Sequence, residues 1–185
     1  MMQKVFELID AKLTRGERIL LAIDGDAAAG KSTLAARLAK HYGCAVIHMD
    51  DFFLPPVLRT PERMAQAGGN VDYERFGDEV LEPLMAGQAF SYRPFDCKMM
   101  NFVEKKSVEA AAMTIVEGAY SLHPNLAHAY TLKIFMGIDG DEQMRRITAR
   151  NGADMAEKFE KLWIPMEKRY QEAFGIRESC DLVLE

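Results

Sequence analysis

The octapeptide Gly25-Asp26-Ala27-Ala28-Ala29-Gly30-Lys31-Ser32 constrains this chain more than any other feature, because it fits G-x-x-x-x-G-K-[ST] at every position. Each fixed residue has a physical reason. Glycines let the backbone curl until several N–H groups converge on phosphate oxygens. The lysine brings a mobile cation to the terminal phosphates, and the hydroxyl of Ser32 can ligate Mg²⁺. Such a loop needs a buried strand before it and a helix after it, whose N-terminal end carries positive potential. Both are legible: Arg18 to Asp24 (RILLAID) is a compact apolar run, and Ser32 to Tyr42 has helical spacing with Leu34 and Leu38 inward and Gly43 as stop.

Further along, Cys44 to Met49 reads as a second buried strand ending in Asp50-Asp51, Met113 to Glu117 as a third and Leu132 to Ile138 as a fourth. Asp181 to Leu184 closes the series. Between them, Tyr73 to Met85, Asp141 to Arg150 and Met155 to Phe174 are helical, with Pro165 expected to kink or break the last. Phe90 to Val108 reads as a hairpin-like excursion. Strands alternating with helices predict an α/β domain, three layers around a parallel sheet. At 185 residues, with 49% hydrophobic and 28% charged, one domain over 1–185 is expected, with an N-terminal helix over 1–16. A net charge of −5 and no Lys/Arg run longer than two argue against nucleic acid as partner. Three scattered cysteines, no signal-peptide pattern and no long apolar run lead us to expect a cytoplasmic chain with no membrane partner. A small-molecule acceptor is the expected partner, and a homo-oligomer is compatible with this composition.

In an open α/β sheet, ligands bind beyond the carboxyl ends of the strands. Asp50 and Asp51 fall there after strand two and Glu117 after strand three. A carboxylate at Asp50 can accept the proton of an acceptor hydroxyl, and Glu117 is placed to hold Mg²⁺ with Ser32. Asp51 reads as a structural neighbour. Arg145, Arg146 and Arg150 form a candidate lid within 140–152, also readable as a helix laced by Asp141–Arg145 and Glu142–Arg146 pairs. The histidines His41, His48, His123 and His128 have no ligand spacing and no expected partner. Met99 and Met100 read as packing under the hairpin at 90–108, as do Tyr92 and Phe95 in the alternative to an acceptor role.

Taken together, Gly25 to Thr33, His48-Met49-Asp50-Asp51-Phe52-Phe53, Asn70-Val71-Asp72-Tyr73 and Val116-Glu117-Gly118 resemble the uridine kinase family. That family stands with phosphoribulokinase and pantothenate kinase among the P-loop kinases. The resemblance covers about residues 18 to 185. It implies a P-loop NTPase fold with a five-stranded parallel sheet, the loop strand central, and ATP- and Mg²⁺-dependent phosphorylation of a primary hydroxyl. By the same resemblance Asp50, Lys31 and Arg146 are catalytic. Gly25, Asp26, Ala27, Ala28, Ala29, Gly30, Lys31, Ser32, Thr33, Arg145 and Arg150 face the nucleotide. Asp50, Phe53, Asp72, Tyr92 and Phe95 face the acceptor, and Ser32 and Glu117 the metal. The sequence departs from the family in the hairpin. Phe95-Asp96 matches an aromatic-Asp pair, but Cys97-Lys98-Met99-Met100 stands where a base-reading histidine is expected. A pantothenate- or sugar-like alcohol is therefore an alternative acceptor, and an NTP-binding switch an alternative function, though no Asn-Lys-x-Asp element for guanine is present.

Overall fold

Alternation along the central strand assigns the two faces of the sheet. In the computed structural model, which describes residues 2–185, β1 (Ile19–Gly25) is buried at every position. Its odd residues Ile19, Leu21 and Ile23 pack with Val5 and Ile9 of α1 (Met2–Thr14) and with Leu34, Ala35 and Leu38 of α2 (Lys31–Tyr42). Leu20 and Ala22 face the opposite layer. Asp24 shares their parity, so an acid is driven into that second core with no solvent exposure.

The sheet is completed by β2 (Ala45–His48), β7 (Met113–Glu117), β8 (Leu132–Met136) and β9 (Leu182–Leu184), in the order β2-β7-β1-β8-β9, with every pairing parallel. The loop strand is central, as expected, and the architecture is the three-layer α/β domain. The second strand differs from expectation. It lies at the sheet edge and only Ile47 is buried, because its outer side has no partner strand.

The acceptor-side excursion holds two small antiparallel pairs. In chain order β3 (Phe90–Tyr92) pairs with β6 (Lys106–Val108), and β4 (Phe95–Asp96) with β5 (Asn101–Phe102). Before it come α3 (Pro61–Met64), α4 (Tyr73–Phe76) and α5 (Glu82–Ala86); after β8 come α6 (Gly140–Asn151), α7 (Ala153–Lys158) and α8 (Ile164–Phe174).

Pro165 does not end the last helix. A π turn over Phe159–Trp163 precedes it, and a second over Gly77–Leu81 stands in the same relation to Pro83. In each, the residue before the proline donates five residues back, Ile164 to Phe159 and Glu82 to Gly77. The wider turn accommodates a ring that would clash with the carbonyl four residues earlier.

Candidate active site

The loop leaves β1 through Gly25 at φ 130, passes Ala28 at φ 62 and enters α2 through Gly30 at φ 100. An alanine in the left-handed region costs about 1–2 kcal/mol, strain of the kind that collects at functional sites. Gly30 supplies no side-chain cap, so the first N–H groups of α2 are open to an anion. Lys31 is buried and folds back over the loop, its Nζ donating to the carbonyls of Gly25 and Asp26 at 2.8 Å each.

The strand-end acids meet at the same edge. Glu117 is the last residue of β7, and the Ser32 hydroxyl lies 3.1 Å from both its carboxylate oxygens. Gly118, at φ 137, follows. A Cβ there would lie 2.9 Å from Met49 Cβ, so glycine is what lets the end of β2 approach β7. That approach brings Asp50, in the 3₁₀ turn Met49–Phe52, beside Glu117 and Lys31. Asp50 keeps access to solvent while protein crowds it on its other sides. Crowding first, and then the charge on Glu117, push its carboxyl above the ordinary range. Charges act on it from Glu117, Lys31, His48 and Asp51, and its carboxyl makes no hydrogen bond among the described residues.

His48 corrects the expectation that it has no partner: its Nδ1 stands 2.5 Å from Glu117 Oε1. This hydrogen bond raises the imidazole above its ordinary value. Asp51 is occupied by the Tyr92 hydroxyl at 3.1 Å and Lys106 Nζ at 2.8 Å, the structural neighbour expected.

Behind the loop stands a support that the sequence reading missed. Asp24 accepts from the N–H groups of Gly25 and Leu122 and from the Tyr170 hydroxyl. Asp26 accepts from Gln171 Nε2 and the Ile138 N–H. Glu167 accepts from the Ala27 N–H at 3.0 Å, and Gln143 Nε2 donates to the Ala27 carbonyl at 3.0 Å. Glu167, Tyr170 and Gln171 lie on one face of α8 by i, i+3, i+4 spacing. The signal for Asp24 was available, an acid ending an otherwise apolar run. Nothing in sequence linked α8 to the loop.

Burial raises the Glu167 carboxyl to about 7 from its ordinary 4.5, with Lys31 and the Ala27 N–H opposing and Asp24 and Asp26 adding to the rise. Between those values the folded chain holds a proton that the unfolded chain has released. Stability present below about pH 4.5 is therefore lost as pH rises towards 7, about 3 kcal/mol in all. Glu167→Gln should be more stable than the parent by that order at about pH 8, and no more stable at about pH 4. Urea midpoints at the two pH values check it; an unchanged pH dependence in the variant would contradict it.

The remaining expected site residues divide. Phe53 is half-buried and bridges Val71. Asp72 caps α4 by accepting from the Arg75 N–H at 3.1 Å, and its other oxygen lies 3.4 Å from Arg75 Nε. Tyr92 and Phe95 are buried, Phe95 edge-on to Phe102. Met99 and Met100 are not packed beneath the hairpin but exposed, because Asp96 binds the Lys98 and Met99 N–H groups in a tight turn that throws them outward. In α6, Glu142 takes both Arg145 and Arg146 in place of the anticipated Asp141–Arg145 pair, which holds its carboxyl down at about 2. Arg146 also reaches the Ala28 carbonyl at 3.2 Å, whereas Arg150 bonds only its neighbour Asn151. Trp163 is half-buried against Phe159.

No protein-family model matches the chain. A cytidylate kinase from Afipia carboxidovorans is 37% identical over 84 residues, which is 40% of this chain and 39% of that protein. The match thus spans about two fifths of the curated relative's length. Among solved structures, a protein described as a possible uridine kinase from Bacillus stearothermophilus aligns over 91% of this chain and 89% of its own, with a TM-score of 0.69 and 19% identity. A candidate fructose transport system kinase from Silicibacter sp. TM1040 aligns over 91% and 90%, with a TM-score of 0.70 and 23% identity. The chain shares the three-layer α/β fold of these P-loop kinases. Among the described residues no helix is long and apolar enough to cross a membrane.

Proposed function

We propose that this chain is an ATP-dependent kinase that phosphorylates a hydroxyl group of a small, nucleoside-sized acceptor. The observation that carries the reading is Asp50, a carboxylate with no hydrogen bond among the described residues, raised in pKa and acted on by Lys31 and Glu117. ATP with Mg²⁺ would supply the phosphoryl group and the divalent charge. The donor set suits the ion: a hydroxyl and a carboxylate 3.1 Å apart, both hard oxygens. Mg²⁺ takes few protein ligands and completes its shell with phosphate oxygens and water.

In this reading the Gly25–Thr33 backbone cradles the phosphates, and Lys31 exchanges its two loop carbonyls for phosphate oxygens. Ser32 and Glu117 hold the metal. Asp50 orients the acceptor hydroxyl and takes its proton, a task helped by a carboxyl raised above the ordinary aspartate range. Arg146 already touches the loop and would meet charge on the transferred group, with Arg145 and Arg150 further out on the same helix. Phe53, Asp72, Tyr92 and Phe95 frame the acceptor side, Asp72 and Tyr92 through Arg75 and Asp51.

A second reading, transfer to the phosphate of a nucleoside monophosphate, is favoured by the local similarity to cytidylate kinase. The charges acting on Asp50 are two carboxylates, Glu117 and Asp51, and two cations, Lys31 and His48, so local charge does not choose between the readings. What favours the first is a carboxylate placed to take a hydroxyl proton, which a phosphate acceptor does not need. A coupled ADP-release assay across uridine, cytidine, CMP, UMP, sugars and pantothenate-like alcohols decides between them. Turnover with an alcohol is expected; turnover with monophosphates alone would replace the proposal with the second reading. Saturating MgATP should also raise the melting temperature, since a ligand bound only by the native state stabilises it.

A further inference from the structure

We propose that Glu167 positions the phosphate loop through the Ala27 amide and couples nucleotide binding to the uptake of a proton. The inference rests on the loop being the nucleotide site. Ala27 lies within the loop, yet both its polar groups are held from behind, the N–H by Glu167 and the carbonyl by Gln143. This fixes the middle of the loop and leaves the N–H groups of Ala28, Gly30 and the first residues of α2, which have no partner among the described residues, to face a ligand.

Glu167 is only 8% exposed, and its surroundings are unusually acidic. Asp24 of β1 and Asp26 of the loop act on it as like charges, and Lys31 of α2 is the compensating cation. The Tyr120 hydroxyl also senses its charge. On its own helix Tyr170 and Gln171 are engaged with Asp24 and Asp26, and α6 contributes the neutral Gln143. A triphosphate entering the loop brings several negative charges and draws the Lys31 ammonium to itself. Both changes disfavour ionised Glu167, whose carboxyl already titrates at about 7. The bound state therefore holds the proton more tightly. Above about pH 7 binding must take up a proton and affinity must fall as pH rises; below it the carboxyl is already protonated and the effect vanishes.

The test is titration calorimetry of MgATP into the full chain, in two buffers of different ionisation enthalpy, at about pH 6 and about pH 8.5. We expect uptake of about a fifth of a proton at the higher pH, almost none at the lower, and affinity about five- to tenfold weaker at the higher. Glu167→Gln keeps an oxygen for the Ala27 N–H. It should lose this uptake and bind at the higher pH about five- to tenfold more tightly than the parent. Glu167→Ala loses the acceptor and should bind more weakly at both. His48, Asp50 and the buried Asp24 are also raised above their ordinary values and remain in the Gln variant, so the difference between parent and variant reports Glu167 together with its effect on Asp24. Equal proton counts and pH dependence in the two would overturn the inference while leaving the nucleotide site intact. No binding at either pH would overturn both.

Discussion

Asp50→Asn should lower kcat by about two to four orders of magnitude with every alcohol acceptor while changing MgATP affinity little. Asparagine keeps the shape and can still orient a hydroxyl, but it cannot take the proton. Because the Asp50 carboxyl makes no hydrogen bond among the described residues and its charge is disfavoured by burial and Glu117, removing that charge does not weaken the fold. Its raised carboxyl also sets the pH dependence. In the parent, the acid limb of kcat/KM should lie above the ordinary aspartate value, with activity present above it and lost as pH falls through it. That limb should disappear in the Asn variant. Single-turnover rates and pH profiles, with nucleotide binding measured separately, check both parts. Undiminished turnover in the variant would remove Asp50 from the role of base and with it the main support for a hydroxyl acceptor.

The second large effect is structural. Gly25→Ala should abolish MgATP binding and cost about 3–5 kcal/mol of stability. Gly25 is in register with Met136 of β8, and a Cβ there would stand 2.1 Å from the Met136 carbonyl oxygen and 2.6 Å from its nitrogen. That carbonyl is the acceptor for the Asp26 N–H at 2.9 Å, so relief of the clash breaks the bond that starts the loop. The φ of 130 adds strain of its own. Gly30→Ala is the comparison. There a Cβ meets only the flexible Met136 Cε at 3.8 Å, so the strained φ acts almost alone and about 1–2 kcal/mol is expected. Urea unfolding and calorimetric binding of both variants measure the contrast; equal losses would mean that the carbonyl contact is not what excludes a side chain at Gly25.

The sheet and the loop were readable because their signals are local. A continuous apolar run bounded by turns marks a parallel strand, and Gly25 to Ser32 carries its own chemistry in eight adjacent residues. Local reasoning also placed Glu117 and Ser32 at one edge, where they lie in contact. It failed where the third dimension decides. Ala45–His48 is as apolar as a central strand, and only sheet order makes it an edge. Pro165 carries the usual helix-breaking signal, but a π turn upstream absorbs it. His48 looked solitary because its partner lies 69 residues away. The methionines of the hairpin tip were assigned to packing by their chemistry, whereas a turn fixed by Asp96 exposes them.

The support behind the loop has a consequence for synthesis. The contacts from Glu167, Tyr170 and Gln171 to Ala27, Asp24 and Asp26 span 140, 146 and 145 residues. Synthesis must run about 140 residues past the motif before these contacts can close, and ring closures of that length are slow. A nascent chain carrying the complete octapeptide would therefore lack a finished nucleotide cradle until α8 is free to dock. Products truncated before α8 would keep the signature motif yet lack the architecture that shapes it.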